Sequence, residues 1–201
     1  LTGRIMMFII CTTVALLHEL GHSFSAEKLG YRLKSVTLMP YGAVIGGEND
    51  DLKAKDQIRI ALAGPLTNFA IGVAFVAAWW LFPETYAFTD TAAFSSFSIA
   101  AVNLLPAFPL DGGRVLLAAL SQKMRRGKAL KICKIVSLSI AAGVAALFVV
   151  SLFHTPNVSV LFFAAFIAFG ALNKREENVY VRLFSGVSAA ALKRGVPYKK
   201  Q

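Results

Sequence analysis

Charge is scarce in this 201-residue chain: Asp, Glu, Lys and Arg together make up 16%, against about 25% in soluble globular domains. A soluble enzyme of this size is therefore not expected. Cysteine is scarcer still, Cys11 and Cys133 alone, which excludes a disulfide-stapled secreted fold and gives no reason to pair the two. Acidic residues are few, 11 against 21 Lys and Arg, for a net charge of +10. No internal repeat of about 20–50 residues recurs. The chain opens at Leu1 with no initiator Met and no basic stretch ahead of a cleavage site. A signal peptide is not expected, and a span ahead of Leu1 can be missing.

What fills the chain is apolar: 56% hydrophobic residues and a mean hydropathy of +0.61. That excludes disorder and leaves a polytopic membrane protein, all-α in class. Five apolar segments stand out, at Ile5–Phe24, Ile58–Phe82, Ala92–Ala119, Ile135–Phe153 and Val158–Leu172. Each is expected to be a transmembrane helix, the fifth being the shortest for ~30 Å of hydrocarbon.

The cations are unevenly placed, seven in residues 1–60, none in 61–113 and fourteen in 114–201. Lys123, Arg125, Arg126, Lys128, Lys131 and Lys134 crowd the loop before the fourth segment, and Lys174, Arg175, Arg182, Lys193, Arg194, Lys199 and Lys200 crowd the tail. Only Glu84 and Asp90 lie between the second and third segments. Basic loops stay cytoplasmic, so the tail, the 123–134 loop and the 25–57 segment belong on that side, against an anionic lipid surface. A nucleic-acid partner is not expected, because most aromatics lie inside the apolar runs and not among the cations.

Residues 31–47 do not read as helix. Val36 and Leu38 flank Thr37, Pro40-Tyr41-Gly42 supplies a turn, and Ala43-Val44-Ile45 resumes an extended run. A short membrane-associated β-hairpin is expected there, with a plain cytoplasmic loop as the alternative.

The first segment ends in His18-Glu19-Leu20-Gly21-His22. Helical spacing puts both imidazoles on one face, one turn apart, where they can hold one metal ion, with Glu19 beside them to deprotonate an activated water. Ionisable groups inside an apolar span are costly, so they signal function. A catalytic zinc needs a third protein ligand and an open position. The central ionisable candidate is Asp111, in Asn103-Leu104-Leu105-Pro106-Ala107-Phe108-Pro109-Leu110-Asp111-Gly112-Gly113, where two prolines and a glycine pair break the third segment. Irregular backbone at membrane depth is tolerated where it lines protein or a watery cavity. In the second segment, Ala63-Gly64-Pro65-Leu66-Thr67-Asn68 combines residues that permit close helix approach with a buried amide. Asn68 and Asn103 can each donate to a developing oxyanion, or serve helix–helix hydrogen bonds.

HELGH, AGPLTN and NLLPAFPLDGG together, in that order, resemble the site-2 proteases, the zinc intramembrane metalloproteases. The resemblance spans roughly residues 5–120. It implies Zn2+ held by His18, His22 and Asp111, Glu19 as general base, and a water-accessible site near the cytoplasmic face. It also implies that the hairpin at Pro40-Tyr41-Gly42 offers an edge to an unwound substrate. The PLDGG phrase and the LMPYG turn look like the branch of the sporulation stage IV FB protease, which releases a membrane-tethered pro-sigma factor. Neither that branch's C-terminal CBS domain and extra N-terminal span nor a PDZ domain has a counterpart in these residues. The expected organisation is a catalytic core at 1–120, a helical pair with a basic loop at 121–173, and a basic tail at 174–201. Expected partners are a transmembrane or membrane-tethered protein substrate and membrane lipids. Inhibitory membrane partners and a homo-oligomer are compatible with the small residues Ala141-Ala142-Gly143 and Gly170-Ala171. A metal or proton transporter is the rival from another class, since buried His, Glu and Asp at a broken helix also describe an ion path. A silent membrane scaffold would not need the full set of ligands plus base.

Overall fold

The computed structural model describes residues 2–31, 35–39, 42–46, 53–153 and 156–173. Among the described residues six α-helices follow one another: α1 (Thr2–Lys28), α2 (Ala54–Leu81), α3 (Tyr86–Asn103), α4 (Asp111–Ser121), α5 (Arg126–Ser151) and α6 (Val158–Leu172). Between α1 and α2 the backbone at β1 (Ser35–Met39) and β2 (Gly42–Gly46) pairs antiparallel, Thr37 opposite Val44. Pro40 and Tyr41 of the expected turn lie outside the described residues, while Gly42 opens β2. The tail 174–201 and His154 also lie outside them.

Local chemistry sets the helix ends. Gly30 takes a left-handed φ of 85°, Tyr31 N–H reaches the Ala26 carbonyl and Gly30 N–H the Glu27 carbonyl. This crossed pair of bonds satisfies the last carbonyls of α1 and needs glycine at the positive φ. Asn157 caps α6 by accepting from the Ser159 amide at 3.1 Å. Helix α2 is central, packing against α1, α3 and α4, while α5 pairs with α6 and with α4.

Small residues and several polar ones are buried among the apolar core, and large apolar side chains are exposed on the surface. Ala61, Ala100, Ser96, Ser137, Asn68 and the two histidines are buried, whereas Phe8, Trp80 and Phe162 are 71, 81 and 73% exposed. Water would not tolerate that surface; lipid does, because hydrocarbon removes the drive to bury Phe and Leu and close packing then favours small residues. The chain is an integral membrane protein.

Among the described residues, three helical stretches are long and apolar enough to cross a bilayer, Arg4–Lys28, Ala54–Leu81 and Arg126–Ser151. This falls short of the five expected from hydropathy. The stretch read as one segment, Ala92–Ala119, is two helices that begin earlier, at Tyr86, and break between Asn103 and Asp111. Helix α3 has 18 residues and carries Thr89, Thr91, Ser95, Ser96 and Ser98, which dilute its hydropathy. Helix α6 has 15 residues, a rise of about 22 Å at ~1.5 Å per residue.

Candidate metal centre

One turn of α1 separates His18 from His22, and both are 4% exposed. Their rings meet edge to face, centroids 4.8 Å apart. The two Nε2 atoms are 3.2 Å apart. Asp111 Oδ2 lies 3.0 Å from each of them. The three side chains form a buried group whose donor atoms all lie within 4.8 Å of one another.

The protonation of His22 can be argued from its other nitrogen. Nδ1 lies 2.7 Å from the backbone carbonyl of Ile60 on α2. A carbonyl only accepts, so Nδ1–H donates, and the neutral ring then offers a lone pair at Nε2. That lone pair faces a carboxylate oxygen and a second imidazole nitrogen, the arrangement of donors that one metal ion can share. Tetrahedral zinc with ligands at ~2.0–2.1 Å sets ligand–ligand separations of about 3.3 Å, close to those present. Two imidazoles and one carboxylate are also the donor types of catalytic zinc sites. The residues fit the ion.

Each element positions its part for a local reason. Helix α2 comes close to α1 because Gly64 faces the histidines: a Cβ there would lie 2.8 Å from His18 Nε2 and closer still to His22. Asp111 is the first residue of α4, where the helix N-terminus favours a carboxylate. The irregular segment ahead of it, with Phe108–Pro109 in cis, is held by the C-terminal helices. Ser137 Oγ on α5 accepts from the Phe108 amide at 2.9 Å and donates to the Cys133 carbonyl at 2.7 Å. Gly170 on α6 lies flat against Pro109. Ala107, Leu110, Ala141 and Ile167 bury one another at the same junction. No side chain at 112 would fit either, since Gly112 rests on the Leu104 and Leu105 carbonyls.

The remaining candidates sit as follows. Glu19 is half-buried on the same turn of α1 as the histidines. Asn68 is completely buried on α2, one turn beyond Gly64, and its amide oxygen and nitrogen have no partner among the described residues. Asn103, at the end of α3, donates through Nδ2 to the Ile99 carbonyl at 3.0 Å. Both cysteines are free, and Cys133 is buried against Phe108 and Leu117.

Three contributors escape the sequence reading. The Ile60 carbonyl is a backbone group and leaves no side-chain signature. Ser137 lies in an apolar helix with nothing to mark it. Arg114, whose Nη1 is 3.6 Å from Asp111 Oδ1, was signalled by its spacing of three residues within α4, which puts the pair on one helix face.

Comparison with known proteins places the chain in a family. Peptidase family M50 matches residues 6–91 and 80–150. A zinc metalloprotease of Methanocaldococcus jannaschii is 30% identical over 187 residues, covering 92% of this chain and 53% of that protein. Stage IV sporulation protein FB of Bacillus subtilis is 35% identical over 133 residues, 64% of this chain and 45% of that protein. The chain thus spans about half the length of the curated relatives it matches. The solved structure of the site-2 protease from Methanocaldococcus jannaschii superposes with a TM-score of 0.68 at 32% identity, covering 85% of this chain and 77% of that one.

Proposed function

The chain belongs to peptidase family M50, and from that premise we propose that it is a zinc-dependent intramembrane endopeptidase. Its substrate is a transmembrane or membrane-tethered regulatory protein, of the pro-sigma or anti-sigma type, cut near the cytoplasmic face. The observation that best supports this reading is the convergence of His18, His22 and Asp111 on one buried point, with His22 Nδ1 already engaged by Ile60. These three side chains hold the zinc, which when bound supplies Lewis acidity towards a carbonyl and acidifies water to a pKa near ~7.

Glu19 takes the proton of the attacking water and hands it to the leaving amine. The carboxamides of Asn68 and Asn103 donate to the oxygen that gains charge. Asn68 has no competing partner among the described residues, whereas Asn103 spends one of its two N–H donors on the Ile99 carbonyl and keeps the other. A helical substrate hides its carbonyls in its own hydrogen bonds, so it unwinds locally before attack. The edge of the β1–β2 pair, whose second strand opens at Gly42, receives the unwound strand.

Helices α3 with α4, and α6, complete a five-span arrangement in a bacterial cell membrane, with the basic start of α5 at 126–134, the turn ahead of it and the 174–201 tail cytoplasmic. Residues 1–120 are the catalytic core, and 121–173 are the helical pair that buttresses it. The transporter reading has no observation in its favour, and the family match is to peptidases.

The test is cleavage of a tethered reporter bearing a helix-breaking residue, by the detergent-purified chain. Cleavage that is lost on chelation and restored by zinc is expected. Cleavage indifferent to chelator would overturn the zinc mechanism, and zinc flux through liposomes without any cleavage would overturn the protease reading.

A further inference from the structure

The two oxygens of Asp111 have different partners. Oδ2 lies 3.0 Å from Nε2 of both histidines, while Oδ1 lies 3.6 Å from Nη1 of Arg114. The Asp111 side chain is 8% exposed and that of Arg114 is 25% exposed, so the ion pair is poorly screened by solvent. Both residues sit in the first turns of α4, whose start is pinned by Gly112 against the Leu104 and Leu105 carbonyls. The carboxylate can neither slide along the helix nor rotate without breaking the pair.

We infer that Arg114 is a positioning residue which reserves Asp111 Oδ1 and so presents Asp111 to the metal through one oxygen only. The inference rests on the zinc reading of the site. A carboxylate left free to swing could bind through both oxygens and fill a position that catalysis needs open for water and substrate. Groups that hold a metal ligand from behind orient it and set affinity, and losing one typically costs about 10–100-fold in metal binding.

The test uses the full chain in detergent, with zinc affinity measured by chelator competition and the visible spectrum recorded after cobalt substitution. Arg114→Met, which keeps an apolar stem, is expected to bind zinc about 10–100-fold more weakly. Its cobalt bands should lose intensity, as they do when coordination number rises above four. Arg114→Lys restores the charge without the planar fork and should recover part of the lost affinity. If Arg114→Met fails to give a helical protein, Arg114→Gln replaces it, with the same expectation. Parent-like affinity together with a parent-like cobalt spectrum in the folded variant would overturn the inference. Absence of zinc from the parent itself would sink the metal centre instead, so the two failures are distinguishable.

Discussion

Gly64 of α2 lies so close to His22 of α1 that no methyl group fits between them. The helix therefore carries its weakest-propensity ordinary residue where the metal ligands need room. In an exposed helix Gly64→Ala would gain ~1 kcal/mol from backbone entropy. Here the added carbon would drive into both imidazoles, and His22 cannot retreat without giving up the Ile60 carbonyl at 2.7 Å. Overpacking of this kind costs about 1–3 kcal/mol. Gly64→Ala is expected to keep its helicity but to lose most of its zinc. A parent-like zinc content measured by mass spectrometry would show that the histidines are not confined by α2.

Residues 93 positions apart in sequence, His18 and Asp111, are brought to one point, and metal content tests whether they form one site. The parent should carry about one zinc per chain, since one set of three ligands serves one ion. His18→Ala and Asp111→Asn should each empty it, because removing one of three protein ligands leaves too few to hold the ion against water. Zinc that survives Asp111→Asn would mean that the third ligand has been misassigned.

Glu19 separates binding from turnover. It is not among the three converging donors, so Glu19→Gln should retain zinc. Loss of a general base typically costs about 10²–10⁴-fold, and that loss should appear in kcat for reporter cleavage. A Glu19→Gln enzyme that still cuts at the parental rate removes Glu19 from the mechanism.

Much of the site was legible because its chemistry is expensive. His18 and His22 stand out at helical spacing in an apolar run, and Asp111 is the central ionisable group where prolines and glycines break a helix. The break itself, between Asn103 and Asp111, follows from the same residues. Less legible was the number of spans. Hydropathy merged α3 with α4 because the intervening segment is itself apolar. The supports of the site were hidden for a different reason. The Ile60 carbonyl, the Ser137 hydroxyl and the flat face of Gly170 act through tertiary contacts, and nothing in their local sequence distinguishes them from their neighbours.

The support from α5 is testable through Ser137. Its hydroxyl accepts from the Phe108 amide and donates to the Cys133 carbonyl, tying the Asp111 loop to α5. Ser137→Ala keeps the volume nearly constant and removes the acceptor from a buried amide, at a cost of about 1–3 kcal/mol. Lower thermal stability and weaker zinc binding should appear together, since the loop carries a ligand. A stability loss with unchanged zinc affinity would mean that the loop is held well enough by Pro109 against Gly170.

Asn68 offers the sharpest separation of function from stability. Its side chain is completely buried, and both ends of the amide lack a partner among the described residues. A buried, unpaired amide costs on the order of 1–3 kcal/mol. A residue kept only for packing would sooner be Leu, which has the same branched four-atom side chain and no such cost. Asn68→Leu is therefore expected to raise the melting temperature while lowering reporter cleavage by about 10²-fold, the usual loss for one oxyanion donor. The loss should lie in kcat and not in KM, because the developing charge exists only in the transition state. If Asn68→Leu is less stable than the parent, the amide has a structural partner, and its place in the mechanism falls with that finding.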